Sequence, residues 1–293
     1  MDSLDVPTKP SWLRTKVSSP ERSAEMRRTL ANCDSRTVCD SSRCPNLGDC
    51  WGKGHATFMI LGERCTRACR FCAVPSGEPS PPDPGEPERV AESVRRMGLR
   101  HAVITSVTRD DLEDGGAGVF AEVIRQVRWM NPGTSLEVLI PDLQGDREAL
   151  SAVVAARPDV LGHNLEVVRS LQWVRDPAAS YERSLEVLAG AKRTEPGMLT
   201  KSSLMLGLGE SEREVREAMR DLLAAGTDLL TLGQYLPPQG SSLPLRRYVP
   251  PVEFEELRLK ALDMGFKGVK AGPLVRSSFD ALSLMLEAGA NRC

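Results

Sequence analysis

The sequence predicts an α/β protein: a partial (β/α)6 TIM-type barrel with an N-terminal cysteine-bearing extension and a short C-terminal extension. Three observations predict it. From residue 56 onward, short apolar runs alternate with stretches of helical periodicity. The runs are mostly apolar, as in parallel strands covered on both faces. Six such runs occur, plus one shorter one, too few for a closed eight-fold barrel. No Gly-rich fingerprint follows the first run, which argues against a doubly wound dinucleotide-binding sheet.

Each element follows in order. Residues 1–55 are polar and cysteine-bearing, with a short helix expected near 20–31. ATFMILG at 56–62 is the first strand. The Pro-rich segment 76–88 excludes both strand and helix interior. Val90, Val94 and Met97 then mark a helix that stops at Gly98. Strand 101–107 precedes helix 117–130, and strand 135–140 precedes helix 146–156. Strand 159–164 leads to helical stretches at 166–174 and 180–193. Strand 199–208 leads to helix 211–225, ended by Gly226. Strand 228–236 runs into a Pro/Gly/Ser loop at 237–251, then helix 252–264, ended by Gly265, and a short strand at 268–274. The expected organisation is an extension (1–55), a barrel (56–265) and a C-terminal extension (266–293). In such barrels the chemistry sits at the carboxyl ends of the strands.

The 293 residues are 41% apolar and only 4% aromatic, so Leu, Val, Ala and Met must fill the core. Thirty-eight Lys and Arg against 40 Asp and Glu leave a net charge of −2, which argues against wrapping a nucleic acid. No apolar run approaches the roughly 20 residues of a membrane span, and the first residues do not read as a targeting signal. The expectation is a cytoplasmic protein that uses neither membrane nor nucleic acid.

Seven of the eight cysteines fall between Cys33 and Cys72. Such crowding points to metal ligands rather than disulfides. Cys65, Cys69 and Cys72 follow the first strand, interleaved with Arg64, Arg67 and Arg70, whose charge would favour thiolates. Three thiolates can hold three corners of a four-iron, four-sulfur cube and leave the fourth iron open. The same residues could build a zinc site completed by His55 or Cys50. A second triad, Cys39, Cys44 and Cys50, lies upstream with a spacing unusual for zinc. Cys33 stands outside both triads, and Cys293 ends the chain as an expected exposed tail residue.

The spacing C-x3-C-x2-C, with Phe71 before the last cysteine, resembles the signature of the radical S-adenosylmethionine superfamily. The upstream triad with Trp51 resembles the auxiliary-cluster motif of lipoyl synthases. Further similar segments run from about residue 36 to 282, among them VITSVTRDDLEDGGA (103–117), TKSSLMLGLGE (200–210) and AGPLVRSS (271–278). The resemblance implies two [4Fe-4S] clusters and S-adenosyl-L-methionine as cofactors. The cluster of Cys65, Cys69 and Cys72 would generate a 5′-deoxyadenosyl radical. The cluster of Cys39, Cys44 and Cys50, with Ser278 or the less favoured Ser277 as fourth ligand, would give up sulfur for C6 and C8 of a protein-bound octanoyl chain. A hard oxygen among soft thiolates makes a labile corner. The bland reading of Ser277 and Ser278 is a helix cap.

Phe71, Ser106, Asn164, Glu166, Arg175 and Lys201 are the cofactor-binding candidates, by strand-end position and by resemblance. His163 reads as a packed strand-end residue, and Arg246 with Arg247 as a solvated charged loop. Implied partners are an octanoylated lipoyl carrier domain or glycine-cleavage H protein, a flavodoxin or ferredoxin reductant, and an iron–sulfur carrier that rebuilds the consumed cluster. The sequence departs from the family pattern at Thr108 and Phe279, where Asp and Tyr are usual, and in the segment 236–244. The rival readings are another sulfur-inserting enzyme of the superfamily, a non-catalytic iron–sulfur scaffold, and a zinc-stabilised binding module.

Overall fold

The structure, a computed structural model, describes residues 8–14, 20–42, 44–238 and 240–290. Cys293 lies outside the described residues. Among those described, one sheet holds seven strands in sequential order: β1 (Thr57–Ile60), β2 (His101–Ser106), β3 (Ser135–Leu139), β4 (Val160–Gly162), β5 (Leu199–Leu206), β6 (Leu229–Gln234) and β7 (Gly268–Gly272). Every neighbouring pair is parallel. The short seventh run is therefore a full member of the sheet, which curls but stays open between β1 and β7.

Among the described residues, a 3-10 turn (Ser11–Leu13) and three α-helices precede the sheet: α1 (Pro20–Asn32), α2 (Val38–Ser41) and α3 (Leu47–Gly52). The crossover helices are α4 (Glu86–Met97), α5 (Ala117–Met130), α6 (Arg147–Ala155), α7 (Tyr181–Thr194), α8 (Glu212–Ala224) and α9 (Pro251–Met264), and α10 (Ala281–Ala290) ends the described chain. Local chemistry sets their ends. Ser211 and Glu214 form a reciprocal capping box on α8. Ser180 and Asp146 cap α7 and α6. Gly98 closes α4 in the left-handed region, φ 60°.

Apolar faces of the helices pack on the outside of the sheet. One core joins α4, α5 and α6 to β1–β4, and another joins α7, α8 and α9 to β5–β7. Inside the barrel, Leu284 and Ala288 of α10 plug the end where β4, β5 and β6 begin, against Val160, Leu199 and Leu229. The carboxyl ends of the strands remain open.

The exposed edge of β1 would be an unpaired template. Here it is covered by chain from both termini. Thr37 forms an antiparallel bridge with Phe58, and the Met59 N–H donates to Arg36 O at 3.0 Å. From the other side, Thr57 Oγ1 donates to Ser278 Oγ at 2.8 Å, and Asn46 Nδ2 donates to Leu274 O.

Two local expectations change. The helical stretch expected from 166 begins only at Arg169, as a 3-10 turn to Val174. Glu166 instead bridges to Leu204 with φ 70°, which no helix tolerates. The extension also carries α2 and α3, whose few residues show no periodicity in sequence.

Candidate active site

The open end of the barrel holds a cavity of about 1040 Å³. Cys65, Cys69, Cys72 and Phe71 line it from the loop after β1, and Ser106 and Thr108 from the end of β2. Asn164 and Glu166 follow β4, and Arg175 follows the 3-10 turn. Each thiol of the triad meets a backbone N–H. Arg67 and Thr108 donate to Cys65 Sγ at 3.4 and 3.3 Å, Asp176 to Cys69 Sγ at 3.3 Å, and Val74 to Cys72 Sγ at 3.4 Å. Such donors suit sulfur bearing negative charge. Burial nonetheless pushes the Cys69 thiol up to about 11. A bound metal would remove that proton outright.

The loop is held from beneath. Arg67 is buried and forks onto two carboxylates: Nε and Nη2 donate to Asp110 at 2.7 and 2.8 Å, and Nη1 and Nη2 to Asp142 at 3.0 and 2.7 Å. Burial alone would raise the Asp142 carboxyl, but Arg67 outweighs it and holds the group below its usual range. Arg67 is thus a clamp, not the thiolate-stabilising charge the sequence suggested. Arg70 stacks on Trp173 instead, 5.3 Å from the ring centroid. The cation that acts on the Cys69 thiol is Arg175.

Polar groups at the far wall lack full partners. Ser106 Oγ is buried without a hydrogen-bond partner. Asn164 Nδ2 donates to Glu166 Oε1 at 3.0 Å, while desolvation raises the Glu166 carboxyl. The Arg175 guanidinium bonds only neutral groups: Gln172 Oε1, Ser184 Oγ and Ser180 O. A cation and a carboxylate thus face one cavity without pairing to each other. His163 is buried between Ile140 O and Ser184 Oγ, and burial lowers it to about 4. It is neutral at pH 7.

Lys201 departs from its expected place. It lies within β5, buried, and its Nζ donates to both oxygens of Glu137 on β3 at 2.8 and 3.0 Å. It does not line the cavity. A lone buried charge needs a partner, and Glu137 takes the ammonium deeper in the barrel.

The second triad lines a smaller pocket of about 430 Å³ at the open seam, between β1 and the C-terminal segment. Cys39, Cys44 and Cys50 face Asn46, His55, Thr57, His101, Arg276, Ser278 and Phe279. Desolvation raises the Cys39 thiol, with Thr57 opposing, and takes Cys50 up to about 12. Arg276 is a half-buried cation whose charge is felt by Cys44. Ser278 is in the lining; Ser277 is not. His55 and Cys50 therefore belong with the upstream triad, so neither completes a zinc site with Cys65, Cys69 and Cys72. Buried Cys33 lines neither pocket. Thr108 binds Cys65 through its backbone, so the side-chain change there leaves that bond intact.

The model of the radical SAM superfamily matches residues 59–222. The lipoyl synthase of Thermus thermophilus is 52% identical over 282 residues, covering 96% of this chain and 87% of its own length. That of Halorhodospira halophila is 54% identical over 275 residues, covering 93% and 82%. The chain belongs to the lipoyl synthase family.

As a lipoyl synthase family member it is a radical SAM enzyme that inserts sulfur. Crystal structures of methylornithine synthase and of HydG, a maturase of the [FeFe]-hydrogenase, share its fold. The TM-scores are 0.59 and 0.57, at 15% and 13% identity. The first match covers 92% of this chain and 80% of the other; the second covers 92% and 67%. The open seven-stranded sheet of this family member is consistent with the partial barrel expected from sequence. Neither a scaffold nor a zinc module is supported by these likenesses. Among the described residues, no helix is long and apolar enough to cross a membrane.

Proposed function

We propose that the two cysteine pockets divide the labour of lipoyl synthesis. Cys65, Cys69 and Cys72 hold the cluster that works with S-adenosylmethionine, and Cys39, Cys44, Cys50 and Ser278 hold the cluster that serves as sulfur source. The supporting observation is that each triad is gathered in its own pocket of one molecule, the two set at different depths along one face of β1, at Thr57 and at Met59. When bound, the first cluster supplies the electron that cleaves S-adenosylmethionine to a 5′-deoxyadenosyl radical, which takes hydrogen from C6 and C8 of the octanoyl chain.

The residues of the mouth fit the cofactor's charges. S-adenosylmethionine carries a carboxylate, an ammonium and a sulfonium. Arg175 is a cation without a carboxylate hydrogen bond, suited to the carboxylate. Glu166 offers negative charge to the ammonium, with Asn164 orienting it. Ser106 Oγ awaits a hydrogen bond, and Phe71 supplies an apolar wall. Lys201 takes no part in this contact set; with Glu137 it stiffens the barrel wall.

At the seam, Ser278 offers a hydroxyl oxygen beside three sulfurs, and a mixed donor set of this kind loosens one corner of a cluster. The substrate is an octanoylated carrier domain, such as glycine-cleavage H protein. A flavodoxin or ferredoxin supplies electrons and an iron–sulfur carrier restores the spent cluster. Residues 1–55 carry the sulfur source, 56–265 the radical chemistry, and 266–293 the closing serine. The cysteines described in the structure are free, in keeping with action in a reducing cytoplasm.

Anaerobic reconstitution tests the assignment. About eight iron per chain are expected, as two cubes, and S-adenosylmethionine should perturb the spectrum of only the one held by Cys65, Cys69 and Cys72. A single cube, or tetrahedral zinc, would overturn it.

A further inference from the structure

We propose that Trp173, Arg70 and Arg246 form a docking surface beside the mouth, and that the domain bearing the octanoyl arm is acidic where it meets them. This rests on the sulfur-insertion reading above and adds the place and chemistry of the contact.

Trp173 is 52% exposed at the end of the 3-10 turn, two residues before cavity-lining Arg175. A large ring left in water beside a cavity is an anchor for a partner. Its backbone neighbour is tied to the cysteine loop: the Arg70 N–H donates to Val174 O at 2.9 Å. The Arg70 guanidinium covers one face of the ring, so the pair offers apolar area and charge together. Ser241 Oγ donates to Arg70 O at 3.3 Å, which brings the loop after β6 alongside. Exposed Arg246 belongs to that loop, and its N–H donates to Gly207 O at the end of β5.

Charge sharpens the reading. Arg247, the next residue, is taken up by Glu253 at 2.7 Å. Arg70 and Arg246 have no carboxylate within ion-pair distance among the described residues. Most other arginines of this slightly acidic chain are paired, so two unpaired ones beside one exposed Trp mark a positive face. Exposed acids of this end include Glu63, Glu78, Asp83, Asp111 and Glu113 on the loops after β1 and β2, while Glu182, at the start of α7, is taken up by Arg169. The other two exposed tryptophans, Trp12 and Trp129, lie in the N-terminal segment and on the outer helix α5. A carrier whose amide-linked arm must reach the cavity has to rest on its rim. The rim between β4 and β6 offers it a ring and two cations.

Calorimetry of the anaerobic holoprotein with an octanoylated carrier domain of acidic surface tests this without needing turnover. The double variant Trp173→Ala, Arg246→Glu should bind the domain about tenfold or more weakly. Added salt should weaken wild-type binding more steeply than variant binding. Thiolation of a short octanoyl-lysyl peptide should stay within about twofold, because a peptide has no domain to dock. Equal affinity of variant and wild type for the domain overturns the proposal. So does an equal loss on peptide and domain, which would put these residues in the chemistry rather than the docking. If wild-type protein failed to thiolate the peptide at all, the sulfur-insertion reading would fall, while the binding isotherms would still decide the docking surface.

Discussion

At the barrel mouth, the three sulfurs of Cys65, Cys69 and Cys72 are each met by main-chain N–H groups from their own loop, the β2 end or Asp176. At the seam, the Thr57 backbone and the Thr57 and Trp51 side chains meet Cys39, and the pocket of Cys39, Cys44 and Cys50 is completed by residues of several segments: Asn46, His101, Arg276 and Ser278. The difference teaches how each site bears sequence change. A backbone donor survives substitution, as Thr108 shows. A pocket assembled from side chains depends on each of them and on the hydrogen bonds, such as Thr57 to Ser278, that close it.

The largest effects should separate the pockets outright. Cys69→Ala is expected to reduce 5′-deoxyadenosine release to background and iron content to about four per chain. Cys44→Ala should lower iron equally, leave 5′-deoxyadenosine release within about twofold, and abolish lipoyl product. If product persisted in Cys44→Ala, the seam would not be the sulfur source. Mass spectrometry of the carrier and chromatography of the nucleoside read both.

Next is the clamp under the mouth. Arg67→Ala leaves Asp142 buried with the Gln144 N–H at 3.1 Å and, as its remaining ion-pair cation, Arg183 at 3.5 Å. The expected loss is ~3–5 kcal/mol of stability, read as a lower midpoint in denaturation of the anaerobic protein, with the seam cluster's spectrum retained. Loss of both clusters together would show that the pockets are not independent. Ser278→Ala should have a smaller effect: slower or incomplete product formation, with Ser277→Ala near wild type. The reverse order would move the oxygen ligand by one residue.

The smallest effect serves as a control remote from both pockets. Asp228 is buried near the closed end of the barrel. Burial alone would raise its carboxyl, but Lys192 and Lys267 prevail and hold it below the usual Asp value. A depressed folded value stabilises at pH above about 4, the unfolded value, and the contribution fades as pH falls through the folded one. Asp228→Asn should therefore cost ~1–3 kcal/mol at pH 7, and less near pH 3. Urea denaturation at the two pH values checks this, and neither cluster spectrum should change.

Much of the molecule was legible in the chain. Apolar runs at 101–107 and 199–208 are strands because nothing but a doubly covered parallel sheet buries them, and Gly98 and Gly226 stop helices for local reasons. The helix boundaries 117–130 match because Gly116 and Asn131 bound an uninterrupted apolar stripe. The misreadings share a cause. Lys201 and Arg67 are charged residues whose meaning depends on what stands opposite. Sequence position put Lys201 at a strand end; only folding set it against Glu137, 64 residues away. Likewise Asp176, which donates to Cys69, is 107 residues from it.

The sequence by itself determined the order of strands and helices, since periodicity and caps act over a few residues. It also determined which atoms are available to hold iron, since three thiols within eight residues can reach one centre through local turns. Tertiary structure decided the rest: that the sheet stays open at β1, that both chain ends close over that edge, and that Ser278 arrives beside Cys39. Those are contacts between distant segments, set by burial of the whole core, and no local pattern encodes them.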